Sequence, residues 1–352
     1  MSAASRANEA PPRPAAGAQV VAQRFGQPAV VMAPMEGVHD AAMRCLMGEL
    51  GGFCWGVAEF LRVSQVPLSA KQMVAHVPEL AHGGRTASGL RIDPQLLGSD
   101  ADHLAQTAAT LASMGAQAVD LNFGCPAKTV NRHDGGASLL RTPERILQVV
   151  RAVRAAVPEA VAVSAKLRLG WQDDHELQDT AAAAIDGGAQ WLTVHGRTKA
   201  DGYRPPARYR PIGRLVEKSR VPVVANGDLF AVGDLPRARA ETGCRHFMLG
   251  RGALADPWLA RKVAFALGVP GAVDPRALRP DWPGWLARYV ALASPRCQRP
   301  ERLAGRLKQW GVLARLHGGP PWIDGVRRCR EVPDIIGQVR ASAHAAPAAL
   351  AG

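Results

Sequence analysis

Val119-Asp-Leu-Asn-Phe-Gly-Cys-Pro-Ala-Lys128 joins a short apolar run to a loop dense in chemistry. Residues 118–121 read as a buried strand. The loop that follows carries a carboxamide (Asn122), a glycine (Gly124) and a thiol (Cys125) backed by Pro126. Reactive side chains just past a strand end are what the carboxyl rim of a parallel barrel presents. Further runs of the same kind occur at residues 29–33, 53–58, 90–97, 161–167, 191–195, 221–225 and 246–249. Ala-rich amphipathic stretches lie between them, at 103–114, 143–157, 176–186, 209–218 and 231–241. Strands alternating with helices argue for a parallel sheet. Eight such units in roughly 240 residues fit a closed TIM (β/α)8 barrel better than an open sheet. No Gly-x-Gly-x-x-Gly follows the first strand, which counts against a dinucleotide-binding open sheet. Asp93-Pro94 interrupts the third run, and a proline without a ladder N–H predicts a bulge there.

After Ala264 the pattern changes. Gly268-Val-Pro-Gly-Ala-Val-Asp-Pro275 reads as a linker, and helical patterns follow at 282–293, 300–316 and 325–340. The expected division is a disordered tail over 1–24, a catalytic barrel over 25–267, a small basic α-helical domain over 275–340 and a flexible tail over 341–352. The first segment is rich in Ala, Pro and Arg and lacks the apolar core of a signal peptide. The formal net charge is +13, and residues 276–340 carry 13 basic against 5 acidic side chains. More than half of the excess therefore sits in the last fifth of the chain, which points to a face for a polyanion, nucleic acid foremost. Binding through such a face weakens with salt. No apolar run is long enough to cross a bilayer. The six cysteines, Cys45, Cys54, Cys125, Cys244, Cys297 and Cys329, form no Cys-x-x-Cys pair, so the sequence implies a reducing cytoplasm rather than a disulfide scaffold. No metal-ligand spacing and no obligate protein partner are evident.

Polar residues cluster at the strand ends. Lys166 and Arg168, two apart on a strand, share one face, and two cations facing a barrel interior need an anion or strong acceptors. A reduced flavin, negative near N1 and O2, would serve, as would a pair of rim salt bridges. Gln95 has an amide that can both donate to and accept from a flavin pyrimidine edge. Gly227, Gly250 and Gly252 sit where the loops after strands seven and eight of such barrels often bind phosphate through backbone N–H groups. His195 suits flavin phosphate, substrate or a purely structural bond. Cys125 has three readings: an inert thiol, a nucleophile that needs a nearby base, and a general acid that keeps its proton until the reaction requires it. Its polar loop argues against the first. Gly135-Gly136 would let that loop swing as a lid.

Six strings, in order, resemble the tRNA-dihydrouridine synthases: Ala33-Pro-Met-Glu-Gly37, Asn122-Phe-Gly-Cys-Pro126, Lys166-Leu-Arg-Leu-Gly-Trp171, His195-Gly-Arg-Thr198, Ala225-Asn-Gly-Asp228 and Leu249-Gly-Arg-Gly-Ala253. The resemblance spans about residues 30 to 262. It implies reduction of uridine in tRNA to 5,6-dihydrouridine, with FMN as cofactor and NADPH or NADH as reductant. It implies hydride transfer from FMNH2 to C6 and a proton from Cys125 to C5. FMN contacts are implied at Pro34, Met35, Glu36, Gln95, Lys166, His195, Asn226, Gly227, Asp228, Gly250 and Arg251. Glu59-Phe-Leu-Arg62 and Arg306-Leu-Lys-Gln-Trp310 are most similar to the bacterial C-type branch, associated with uridine 16 of the D-loop. That likeness implies tRNA contacts at Arg62, Asn122, Arg168, Arg306, Lys308 and Arg327. The chain departs from the family pattern at Gly98-Ser99-Asp100, where a Gly-Gln-like pair is common, and at Phe123, an often small position. Two other functions compete. An FMN barrel oxidoreductase acting on a free pyrimidine would not need the basic C-terminal segment. A non-catalytic tRNA-binding protein would not need Cys125 and Lys166.

Overall fold

The strands are β1 (Ala29–Met32), β2 (Trp55–Arg62), β3 (Ile92–Leu97), β4 (Ala118–Asn122), β5 (Ala162–Arg168), β6 (Trp191–His195), β7 (Val223–Asn226) and β8 (His246–Leu249). They pair in parallel and in sequence order into a closed barrel, the TIM architecture read from the alternating runs. The computed structural model describes residues 16–131, 134–297, 299 and 301–345. Alternate strand residues face the surrounding helices, where the main hydrophobic core lies. The intervening residues fill the lumen. At its floor Ala29, Val31, Trp55, Val57, Ala118, Ala162, Trp191 and Val224 form a second apolar cluster. Two, four or six residues further along the same faces the lumen turns polar, with Asp120 and Asn122 on β4, Ser164, Lys166 and Arg168 on β5, and Thr193 and His195 on β6.

Residues 16–24, expected in a disordered tail, instead belong to a helix, Ala16–Phe25, that closes the floor of the barrel. Residues 1–15 lie outside the described chain. Phe25 meets Trp55 edge-on at 5.4 Å and His246 at 4.9 Å between ring centroids. The Arg24 guanidinium lies 5.1 Å from the centroids of both the Trp55 and Trp191 rings. It also pairs with buried Asp93, with Nη2 donating to Oδ1 at 2.8 Å. Composition alone hid this helix because everything that anchors it lies far along the chain.

The bulge expected at Asp93-Pro94 is present. Val57 stands opposite Asp93 and Phe60 opposite Gln95, so Ala58 and Glu59 of β2 face the single residue Pro94. The missing N–H is absorbed at this irregularity. Glu59 lies against buried Arg44, at 3.9 Å, while Phe60 faces the barrel mouth.

Beyond the barrel run helices Trp282–Ala293, Glu301–Leu316 and Val332–Ala345. The single helix expected over 325–340 is broken, with a short turn Ile323–Val326 preceding the last helix. That last helix continues into the expected flexible tail as far as Ala345, and residues 346–352 lie outside the described chain. Trp282 centres this unit, with Trp285, Trp310 and Trp322 at 5.3, 5.4 and 5.6 Å. Trp310 Nε1 donates to the Leu254 carbonyl at 3.0 Å, tying the helices to the barrel.

Arg24→Ala leaves the Asp93 carboxylate buried and unpaired. A loss of about 3 kcal/mol is expected from such a change, measured by urea unfolding. Unchanged stability would show that the helix does not clamp the barrel.

Candidate active site

A cavity of about 450 Å³ opens at the carboxyl rim of the strands. Its wall comes from the segments after β1, β4, β6, β7 and β8, together with Phe60, Lys166 and Arg168. Of the residues expected at a cofactor, Pro34, Met35, Glu36, Lys166, His195, Asn226, Gly227, Asp228, Gly250 and Arg251 line it. Gln95 does not. It is fully buried one layer lower, where Nε2 donates to Asp120 Oδ2 at 2.6 Å and Oε1 accepts from Asn122 Nδ2 at 2.8 Å. Both ends of its amide serve the wall, so its influence on the cavity passes through Asn122.

The thiol loop is held from every side. Asn122 Oδ1 accepts from the N–H groups of Gly124 and Cys125, both at 2.9 Å. Arg168 Nε donates to the Gly124 carbonyl at 2.6 Å, and its Nη1 donates to the carbonyls of Thr198 and Gly202 at 2.9 and 2.8 Å. The Cys125 carbonyl accepts from Ala137 N–H and Asn131 Nδ2, each at 3.1 Å. Asn122 and Arg168, expected on the tRNA, are buried, hold the loop through these bonds and also line the cavity. Gly136, expected to free the loop as a lid, has φ of +60° and packs close. A Cβ there would stand 3.0 Å from the Cys125 carbonyl oxygen. Burial is the main influence on the half-buried Cys125 thiol and raises its pKa above the ordinary value, with Arg168 and Lys166 opposing more weakly. A thiol that keeps its proton suits an acid better than a nucleophile.

Opposing charges are distributed unevenly around the cavity. Asp228 takes a bidentate pair from Arg197 Nη2 at 2.7 and 2.6 Å and accepts from Ala207 N–H at 2.6 Å. The carboxylate thus ties together the loops after β6 and β7, and Arg251 approaches it at 3.4 Å. Lys166 differs. Its Nζ donates to Asn226 Oδ1 at 3.3 Å, and no ion pair engages it among the described residues. Burial, then Arg168, lowers its pKa to about 8. An ammonium in this position calls for an anion from the cavity. His195 is held neutral, its pKa well below the ordinary value through burial first and then Arg168, Lys166 and Arg197. Its Nε2 lies 3.1 Å from Arg197 Nη1, and arginine can only donate, so the imidazole proton sits on Nδ1. Gly227 has φ of +132°, and a Cβ there would stand 2.9 Å from that of Ala207.

Residues 31–279 match the family described as Dihydrouridine synthase (Dus). This chain belongs to that family. It is 43% identical over 320 residues to the tRNA-dihydrouridine(16) synthase of Ralstonia nicotianae, covering 88% of this chain and 94% of that protein. Over 282 residues it is 46% identical to the tRNA-dihydrouridine(16) synthase of Cupriavidus necator, covering 79% and 85%. The barrel itself also superposes on histamine dehydrogenase from Rhizobium, with a TM-score of 0.52 at 14% identity over 68% of this chain and 46% of that one. A 2-naphthoyl-CoA reductase gives 0.51 at 13% over 68% and 50%. The dihydrouridine synthase fold and its chemistry, flavin-dependent reduction of uridine in tRNA, therefore belong to this chain.

The cavity of this dihydrouridine synthase fits a flavin. Its volume lies within the range of small-ligand sites, about 300–1,000 Å³. It also offers the unpaired ammonium of Lys166, the neutral His195 and glycines where the strand-seven and strand-eight loops approach. Several wall residues escaped the sequence reading, Tyr203, Leu313 and His317 among them. Tyr203, more than half exposed, lies 5.3 Å from the guanidinium carbons of Arg168 and Arg251. An aromatic alone in the polar loop after β6 was the available signal. Leu313 and His317 come from the C-terminal helical unit, and His317 stacks on Phe230 at 4.8 Å with rings 6° from parallel. Nothing local marks them, because their place depends on how the helices dock.

The expected RNA contacts divide. Arg306 is not available: its guanidinium donates to the carbonyls of Gly37 and Val38, to Asp40 at 2.8 Å and to Tyr289 OH at 3.2 Å. It fixes the C-terminal helices to the segment after β1. Lys308, whose Nζ donates to the Arg327 carbonyl at 3.0 Å, lies near the surface, and Arg62 and Arg327 are exposed.

Lys166→Met removes a cavity cation that has no ion pair among the described residues and only the Asn226 carboxamide as a partner. Flavin retention is expected to weaken about tenfold, near 1.4 kcal/mol, read by fluorescence titration of the apoprotein. Unaltered affinity would place the anionic ligand elsewhere.

Proposed function

We propose that this enzyme reduces uridine 16 of tRNA with FMN as its cofactor, NADPH or NADH as reductant and Cys125 as the proton donor. The half-buried, protonated thiol on a loop clamped at both peptide faces carries the acid assignment. Position 16 is supported by the names of the relatives from Ralstonia and Cupriavidus, which match most of both chains.

A bound FMN supplies the two-electron reduction of the uracil ring. The protein's residues do the rest. Lys166, whose only side-chain partner among the described residues is the neutral carboxamide of Asn226, places positive charge in the cavity and would stabilise negative charge there electrostatically. His195 offers an Nδ1–H donor that does not titrate near neutral pH. Cys125 holds its proton on Sγ and delivers it to C5 as electron density arrives at that carbon. The hydrogen bonds that Asn122 accepts and those that Arg168 and Ala137 donate fix the loop, so the sulfur position is set before substrate enters. The target base must leave its stack, at a cost of a few kcal/mol.

The basic residues of the C-terminal helical unit supply grip on folded RNA by phosphate and shape. Half-buried Lys308 and exposed Arg327 belong to this face, with Arg328 and Arg330 exposed beside them. A reductase of free pyrimidines would have no use for it, and a mere RNA-binding protein would have none for the thiol and Lys166. No helix among the described residues is long and apolar enough to cross a membrane. A cytoplasmic site of action follows from the substrate.

Cys125→Ala is expected to retain flavin and tRNA affinity while losing most dihydrouridine formation, scored by mapping the modified position in tRNA. Wild-type turnover would remove the acid role, and modification at another uridine would correct the position. Arg328→Glu together with Arg330→Glu should weaken tRNA binding and lower the salt slope by about one for each phosphate no longer neutralised, with flavin content unchanged. An unaltered slope would mean that RNA lies on another face.

A further inference from the structure

Asp120, midway along β4, faces the barrel lumen and is almost fully buried. Its carboxylate has no ion-pair partner among the described residues. Oδ2 accepts from Gln95 Nε2 at 2.6 Å and Oδ1 accepts from Ser164 Oγ at 2.5 Å. Gln95 passes the bond on, accepting at Oε1 from Asn122 Nδ2 at 2.8 Å. Asn122 ends the series by accepting the N–H groups of Gly124 and Cys125.

Each carboxamide in this series could be turned end for end without changing its shape. Only one of the two directions allows Asn122 to receive the loop. Reversing Gln95 would set its NH2 against the NH2 of Asn122. Reversing Asn122 as well would set an NH2 against two backbone N–H donors. A carboxylate has no such ambiguity, because when ionised it only accepts. We propose that Asp120 is the positioning residue of the catalytic thiol, fixing the polarity of the Gln95–Asn122 relay so that Asn122 Oδ1 stays on the Cys125 loop. Ser164 holds the carboxylate from its other side. The proposal rests on Cys125 acting as the proton donor.

The electrostatics agree with this geometry. Burial raises the Asp120 pKa to about 6, while the bonds from Gln95 and Ser164 favour the ionised form. The charged groups that act on it are Lys166 on β5, which favours ionisation, and Asp93 on β3, which opposes it. Asp120 is thus an acceptor at neutral pH.

The test separates the two half-reactions of the holoenzyme. Reduction of the flavin by NADPH does not use Cys125, whereas reoxidation of the reduced flavin by tRNA does. Asp120→Asn preserves size but can present either an amide or a carbonyl to Gln95. It is expected to slow the tRNA step tenfold or more and to leave flavin reduction within twofold. It should also change the rate of Cys125 alkylation by iodoacetamide at least threefold, followed by peptide mass spectrometry. Ser164→Ala, a milder change that decides the matter should Asp120→Asn not fold, is expected to show the same division with about a threefold loss. A tRNA step within twofold of the parent, or an equal fall in both half-reactions, overturns the relay. Cys125→Ala in the same assay keeps the two ideas apart. Full turnover there overturns the acid role and the relay with it, whereas an inactive Cys125→Ala beside a fully active Asp120→Asn overturns the relay alone.

Discussion

One side-chain oxygen, Asn122 Oδ1, accepts two successive backbone N–H groups, and the loop that carries the Cys125 thiol is organised around that junction. The chain leaves β4 through the buried residues Asn122, Phe123 and Gly124. A buried N–H left without an acceptor costs about 1–3 kcal/mol. A strand neighbour cannot satisfy these donors, because the backbone has just turned out of the sheet. A short carboxamide at the last strand position can, in the manner of an Asx turn. Arg168 satisfies the opposite face of the same peptide through the Gly124 carbonyl. The thiol is therefore carried by irregular backbone that is held as firmly as the sheet beneath it.

That arrangement requires a lumen that changes character along its axis. Tryptophan, alanine and valine fill the floor, with the Phe25 ring closing it. Carboxylate, amide and cation fill the mouth. The cations there are not equivalent. Arg168 is surrounded by carbonyls and Arg197 is neutralised by Asp228, leaving the Lys166 ammonium with a neutral carboxamide. A barrel whose lower half supplies stability and whose upper half binds ligand follows the usual division of this architecture. In this chain the division can be assigned to individual groups.

Much of this was legible in the sequence, because the strand runs and the strand-end strings are local. β6 and β8 begin and end where the apolar runs do, and the proline in the third run correctly marked a bulge. Ten residues expected at the cofactor line one cavity for the same reason: a strand end is a fixed place in a closed barrel. What failed depended on distant contacts. The first helix is anchored by Trp55, Asp93 and Trp191, none of them near it in sequence. Gln95 lies on the lumen face as expected, but pattern cannot say how deep, and depth decides whether an amide meets a ligand or another amide. His317 reaches the cavity only because a helix some distance away docks in one particular way.

Arg306 shows why charge density and charge function part company. It lies in the most basic segment of the chain, and counting charges alone would place it on the RNA. Its guanidinium is instead surrounded by two carbonyls, a carboxylate and a phenol, which draw the C-terminal helices against the segment after β1. That same segment supplies Pro34, Met35 and Glu36 to the cavity wall, while the helix bearing Arg306 also supplies Leu313. One planar cation thus joins two walls of the cavity at their outer edge. The helices that carry the exposed basic face are in this way part of the same packed body as the cavity wall. An RNA held on that face has its position fixed relative to the thiol by the barrel's own core.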